Sequence, residues 1–245
     1  MRLLILLFCI PALASAASTE RIDALAAAVE SKVIAWRHHL HEHPELSNHE
    51  IATAAYVADH LRSLGLEVQT EVAVTGVVGV LKGGKPGPVV ALRADMDALP
   101  VTEKTGLAYA SKVRVDYGGQ EVGVMHACGH DAHVAILMGA AEVLASMRDE
   151  LAGSVKFIFQ PAEEGAWPAP TWGAKQMIAE GVLENPKVDA IFGLHVWSTM
   201  HTGVIGVRSG PVMASSDFLR ITVNGKQTHA AALLIQKCAR LTTNV

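Results

Sequence analysis

Cys128, His130, the adjacent pair Glu163 and Glu164, and His195 are residue types that can hold a metal ion. A thiolate, imidazole nitrogens and a carboxylate together suit a borderline-soft divalent cation, and the thiolate favours zinc or one of its neighbours over magnesium. The two glutamates lie in a Gln-Pro-Ala-Glu-Glu-Gly run at 160–165. Neighbouring side chains of an extended loop point different ways, so one can bind metal while the other meets the water that the metal acidifies. That division of labour suits hydrolysis. Each fragment alone has an ordinary reading: a Cys-Gly-His triplet is commonly incidental, and a Glu-Glu pair is commonly solvated surface. Asp95 and Asp97 could cap a turn, with Asp97 also placed to sit just behind a metal, and His133 reads as a structural residue on the same helix as His130. The densest histidine run, His38, His39, His41, His43 and His49, straddles a helix end and Pro44 and reads as a solvated helix terminus, while His60 and His201 read as surface residues.

These side chains can cooperate only if the elements bring them to one place. Ile22, Leu25, Val29, Val33, Trp36 and Leu40 recur at steps of three and four, which predicts a helix over 20–40 that Pro44 stops. Ser47 and Glu50 have capping-box spacing and open a second helix through Ile51, Ala54, Ala58 and Leu61, closed by Gly65. Residues 66–72 alternate, and 77–81 and 89–92 read as strands around a loop at 82–87, the second apolar enough to be a buried central strand. Asp131 caps a helix to about Met147, followed by a strand at 155–159, a helix near 175–179 and a strand at 188–194. The order is α/β, an open and mostly parallel sheet flanked by helices, and such sheets bind ligands beyond the carboxyl ends of their strands. Residues 93–97, 126–130, 160–165 and His195 all fall at strand ends or helix starts, so four segments converge on one edge. Past Gly203, residues 204–207 and 218–223 alternate like half-exposed strands around Ser209-Gly210-Pro211, which marks the start of a smaller domain.

The chain of 245 residues is half apolar, 18% charged and 5% aromatic, a globular balance that excludes disordered and fibrous classes. Lys plus Arg number 20 against 24 Asp plus Glu, giving a net charge of −4 with no basic stripe, so no nucleic-acid partner is expected. Arg2, the apolar run at 3–12 and Ala14-Ser15-Ala16 have the pattern of a secretory signal peptide over 1–16, which predicts a mature chain from Ala17, exported to the periplasm or outside the cell, with no membrane attachment after cleavage. Cys9 would leave with that segment. Cys128 and Cys238 then remain, enough for one disulfide but not for a disulfide-stapled scaffold.

Taken together, the motifs at 93–100, 126–131, 160–165 and 193–195 resemble the amidohydrolase branch of the aminoacylase and carboxypeptidase metallopeptidases, whose members include hippurate hydrolase and indole-acetyl-amino-acid hydrolases. His43-Pro44-Glu45-Leu46, Gly225-Lys226 and His229-Ala230-Ala231 fit the same family. The resemblance covers roughly residues 20 to 231. It implies a zinc-peptidase-like catalytic domain over 17–207 and the beginning of a dimerisation or lid domain over 208–245. It further implies two divalent ions, zinc, manganese, cobalt or nickel, bridged by Cys128 and bound by His130, Glu164 and His195. Glu163 would be the general base, Asp97 would orient the site, and His229 would reach into a partner subunit and steady the oxyanion, which makes the full-length form a homodimer. The substrate implied is a small N-acyl amino acid or peptide; the alternative is a non-catalytic metal- or substrate-binding protein that keeps the fold. Family members continue through the small domain and return to the catalytic domain with a last metal-ligand His. Here the sequence departs from the pattern after about residue 231, so the chain is expected to be an inactive fragment or a frameshifted form.

Overall fold

The computed structural model describes residues 12–166, 169, 171–214, 220–224 and 240–244. Its elements run α1 (Ala12–Glu42), α2 (Ile51–Ser63), β1 (Glu67–Val72), β2 (Gly76–Lys82), β3 (Lys85–Asp95), β4 (Arg114–Asp116), β5 (Glu121–Gly123), α3 (His130–Ser146), β6 (Ala152–Gln160), α4 (Gly173–Ala179), β7 (Ala190–Gly193), β8 (Arg220–Asn224) and β9 (Arg240–Asn244). The chain divides into two compact units, Met1–Trp197 and Ser198–Val245. Among the described residues, no helix is long and apolar enough to cross a membrane.

The first unit is built on a five-stranded sheet of order β1-β2-β6-β3-β7. The β1–β2 and β2–β6 pairings are antiparallel, whereas β6–β3 and β3–β7 are parallel, so the sheet is open and mixed with its parallel part at the β7 side. Alternation along β6 serves both faces. Phe157 and Phe159 pack with Leu61 of α2, Val134 and Met138 of α3, and Leu40 of α1. Ile158 points the other way, against Met177 of α4 and Val182. Full burial of each phenylalanine contributes about 1.5–3 kcal/mol. Lys156 shares the second face and is buried, with Nζ donating to the carbonyls of Val182 at 2.8 Å and Pro186 at 2.9 Å.

Local signals were obeyed where no stronger partner competed. α2 ends as expected at Gly65, whose φ of +72° suits glycine: its N–H donates to Arg62 O at 2.9 Å, and Leu66 N–H to Leu61 O at 3.2 Å. The capping box did not form. Ser47 donates its hydroxyl to the buried Asp97 instead, and the Glu45 carboxylate accepts the N–H groups of Ala52 and Thr53 at 3.0 and 2.8 Å. Asp131 likewise does not cap α3; Gly129 holds that position, and Asp131, in the first turn, pairs with Arg37 and His41. Residues 85–87, read as loop, belong to β3 across a register shift, and residues 204–207 form no strand and are exposed. The alternation at 218–223 corresponds to β8, which pairs with β9 in the second unit, whereas the short hairpin of β4 and β5 had no clear period to announce it.

Candidate metal centre

Strand register delivers the polar residues. Asp95 stands opposite Gln160 and Arg93 opposite Gly193, so the chain leaves β3, β6 and β7 side by side, into Asp97, the 161–165 loop and His195 respectively. α3 closes the same edge with His130 as its first residue and Cys128 just ahead of it. Gly129 between them has a φ of +86°, and a Cβ there would lie 2.3 Å from Val196 Cγ2, so only glycine allows the turn while Val196 stays close.

Hydrogen bonds fix which imidazole nitrogens face inward. His130 Nδ1 donates to the main-chain carbonyl of Asp97 at 2.7 Å, which leaves the Nε2 lone pair of the neutral ring for the centre. That atom is buried and has no hydrogen-bond partner among the described residues. It faces Asp95 Oδ2 at 3.7 Å, Glu163 Oε2 at 3.8 Å and Glu164 Oε1 at 3.9 Å. Such separations exceed hydrogen bonds and match two ligands each about 2 Å from a shared ion. His195 repeats the arrangement: Nδ1 donates to Val196 O at 2.6 Å, and Nε2 lies 3.5 Å from Cys128 Sγ. The ligand atoms of Cys128, His130 and His195 lie within 4.8 Å of one another, as do those of His130, Glu163 and Glu164. The donor set therefore fits a divalent, thiolate-tolerant metal.

The surrounding groups are already committed. His133 uses Nδ1 for Asp95 Oδ1 at 2.6 Å, and its Nε2 accepts the Val196 N–H at 2.9 Å, so its part is structural. Arg93 donates to Asp95 Oδ2 at 2.6 Å and to Gln160 Oε1 at 2.9 Å. Asp97 caps no turn: its Oδ2 accepts the Ser47 hydroxyl at 2.7 Å and the Glu164 N–H at 2.9 Å, tying the second glutamate to His130. Of the two glutamate side chains, Glu163 is 41% exposed against 23% for Glu164, which leaves Glu163 the freer to meet solvent and substrate.

Electrostatically the centre gathers the carboxyl groups of Asp95, Asp97, Glu163 and Glu164 around His130. Burial alone would raise the Asp95 carboxyl, but the His133 hydrogen bond and the Arg93 charge outweigh it and hold Asp95 well below the usual carboxylate range. Burial pushes the Cys128 thiol up, and a hydrogen bond and charge from Glu164 with the other carboxylates take it to about 12. His130, despite burial, is raised to about 9 by Asp97 and the neighbouring acids. Glu163 is raised by burial and by Asp95 and Glu164. Cations bound among these groups would oppose the upward shifts of Cys128, His130 and Glu163 together.

Three histidine readings need correction. His41 is not solvated: it is buried, with Nδ1 at 2.9 Å from Asp131 Oδ2 and Nε2 at 3.1 Å from Glu103 Oε1. His38 is half-buried with its ring stacked on Tyr109, and His60 is half-buried, its Nε2 3.1 Å from Met138 O and its ring edge-on to Trp36, while His39, His43, His49 and His201 are exposed as expected. His126 is buried with both ring nitrogens unpartnered among the described residues, and burial lowers it to about 4. His229 lies outside the described residues. Ser47, Glu50 and the Asp131–His41–Glu103 link were not singled out as parts of a site.

Residues 91–243 match the model of peptidase family M20/M25/M40. The chain belongs to peptidase family M20/M25/M40. Its M20 relatives include thermostable carboxypeptidase 1 of Saccharolobus solfataricus, 48% identical over 205 residues that cover 83% of this chain and 49% of that protein. N-acyl-L-amino acid amidohydrolase of Geobacillus stearothermophilus is 44% identical over 212 residues, 86% of this chain and 54% of that protein. A crystal structure from Bacillus subtilis, described as a dinuclear metal binding peptidase from the M20 family, superposes with a TM-score of 0.66 at 44% identity, covering 76% of this chain and 48% of that one. The M20 assignment fits the amidohydrolase branch expected from the four motifs, and the chain spans about half the length of the relatives it matches.

Proposed function

We propose that the intact protein is a metal-dependent amidohydrolase that cleaves the amide bond of N-acyl amino acids or related small peptides. The observation that carries this reading is the convergence of Cys128, Glu163, Glu164 and His195 on the buried Nε2 of His130, which has no hydrogen-bond partner among the described residues. Relatives named N-acyl-L-amino acid amidohydrolase and carboxypeptidase, and a neighbour described as dinuclear metal binding, support it.

In this reading Cys128, His130, Glu164 and His195 would hold two divalent ions. Bound metal supplies an acidified water and a polarised amide carbonyl. Glu163 takes the proton of the attacking water and passes it to the departing amine, so one carboxyl serves as base and then as acid. Glu163, the more exposed of the two glutamate side chains, is the one free to meet both the water and the departing amine. Asp97 keeps His130 and the Glu164 backbone in place. His229 from a partner subunit would steady the oxyanion, which makes the working form a homodimer with a small dimerisation or lid domain. The signal-like pattern at 1–16 supports an exported protein.

The test is to strip the intact protein with chelator, restore zinc, manganese, cobalt or nickel, and assay hippurate with a panel of other N-acyl amino acids. Turnover should vanish and return with metal. Metal-independent turnover, or none on the whole panel, overturns the reading. Glu163→Gln separates an enzyme from a metal- or substrate-binding protein of the same fold: turnover should drop at least about 100-fold with metal content unchanged, and a mutant of ordinary activity rejects Glu163 as the base.

A further inference from the structure

We propose that Glu50 is a positioning residue for Glu163: its buried carboxylate accepts the N–H of Ala162 and fixes the bend from which Glu163 reaches the centre. This rests on the reading of Glu163 as the base. Glu50 lies outside the metal cluster, is completely buried, and has no part in the proton transfers. Its Oε1 accepts the Ala162 N–H at 2.8 Å and its Oε2 accepts the Thr75 hydroxyl at 2.5 Å. Among the described residues no Lys, Arg or His side chain pairs with it, so it is not half of an ion pair. A buried acid held by neutral donors alone is unfavourable to keep. Its position explains its presence.

Ala162 has a φ of +49°, in the left-handed region that an L side chain adopts only against steric resistance, and it is buried. The bend therefore needs holding from outside. On the far side of Glu163, the Glu164 N–H donates to Asp97 Oδ2 at 2.9 Å. The backbone N–H groups flanking Glu163 are thus each gripped by a buried carboxylate, Glu50 before it and Asp97 after it. One turn supports both grips: Ser47 donates to Asp97 at 2.7 Å, Ala98 N–H donates to Glu45 O at 2.8 Å, and Glu50 closes the turn at the start of α2. Fixing the backbone on both sides leaves Glu163 only its own side-chain torsions to search, which is how remote residues pre-organise a base. Burial also holds the Glu50 carboxyl above its usual range, against Thr75 and Ala162. An amide can take over both contacts, accepting from Ala162 N–H through oxygen and donating to the Thr75 hydroxyl through nitrogen.

The experiment compares Glu50→Ala, Glu50→Asp, Glu50→Gln and Glu163→Gln in the intact, metal-loaded protein, reading kcat, KM, metal content and amide hydrogen exchange over residues 161–166. Glu50→Ala should lower kcat about 10- to 100-fold with KM and metal content held, and the 161–166 amides should exchange faster while strand β6 stays protected. Glu50→Gln should restore most of both. Wild-type kcat and exchange in Glu50→Ala beside an inactive Glu163→Gln overturns the positioning role and leaves the base intact. Ordinary activity in Glu163→Gln overturns the base reading instead, and the exchange pattern still decides whether Glu50 fixes the loop. Should Glu50→Ala fail to fold, Glu50→Asp withdraws the acceptor by one methylene; unchanged loop exchange there overturns the proposal, as does a Glu50→Asp loss of activity that follows loss of metal.

Discussion

The Cys128 thiol is raised to about 12 by burial first and then by the hydrogen bond and charge of Glu164 and the charges of Glu163 and Asp95. In chelated protein at neutral pH it is therefore expected to be a protonated, slow nucleophile. Alkylation should be slow near pH 7, climb steadily to pH 10, and stop when metal is restored. Glu164→Gln removes the largest source after burial, so the chelated variant should alkylate faster at pH 8, about tenfold for each unit by which the pKa falls. Equal rates in the two proteins would show that Glu164 does not set the thiol. Cys128, His130, Glu163, Glu164 and His195 were legible in the sequence because each stands at a predicted strand end or helix start. Ser47 and Glu50 were not: their spacing is that of a capping box, and only the fold shows that buried Asp97 and Ala162 are their partners.

Among the elements, α1, α3 and the stretch between β3 and β4 are joined by one polar link. Asp131 at the start of α3 accepts from Arg37 and meets His41 on α1, and the other nitrogen of His41 meets Glu103, which also holds the Ser111 N–H. The Asp131 hydrogen bond raises His41 above its ordinary value despite burial, with Glu103 adding to it. Asp131 and Glu103 are lowered, since their hydrogen bonds and ion pairing outweigh burial. The raised histidine gives stability fully present below its unfolded pKa of about 6.5 and lost as pH rises through the folded value; the lowered acids give stability present above about 4 and lost as pH falls through theirs. The link is firmest between about pH 4.5 and 6.5. Raising pH from 6 to 9 should therefore speed tryptic cutting at Lys104 and Lys112 in the wild type, and His41→Gln should cut at a fast rate that no longer changes from pH 6 to 9 beyond trypsin's own dependence on a control peptide. A wild-type rate that tracks the control peptide would reject the link. Histidine number and spacing could not reveal this, because a run that straddles a helix end exposes His39 and His43 while the turn between them buries His41.

At the scale of the molecule, the order of helices and strands was readable from periodicity, whereas the sheet order was not. β6 enters between β2 and β3, a non-local pairing that its apolar run announces only as burial. That insertion makes β6, β3 and β7 parallel neighbours, and with α3 they supply every described member of the centre. A metal bound there links four elements distant in sequence, and it relieves the repulsion among Asp95, Asp97, Glu163 and Glu164 that the folded chain otherwise bears. Anything that binds the folded state but not the unfolded chain stabilises by RT ln(1 + [L]/Kd), about 2.7 kcal/mol at a hundredfold excess over Kd. For a chain of this size that corresponds to a rise in Tm of about 5–10 °C. Adding zinc or manganese to chelated protein should raise Tm by that amount in a concentration-dependent way. Glu163→Gln should keep the rise, because that side chain is assigned to proton transfer, whereas His195→Ala should lose most of it. A Tm indifferent to metal would reject metal binding at this centre, and a rise that survives His195→Ala but disappears in Glu163→Gln would reverse the division between ligands and base.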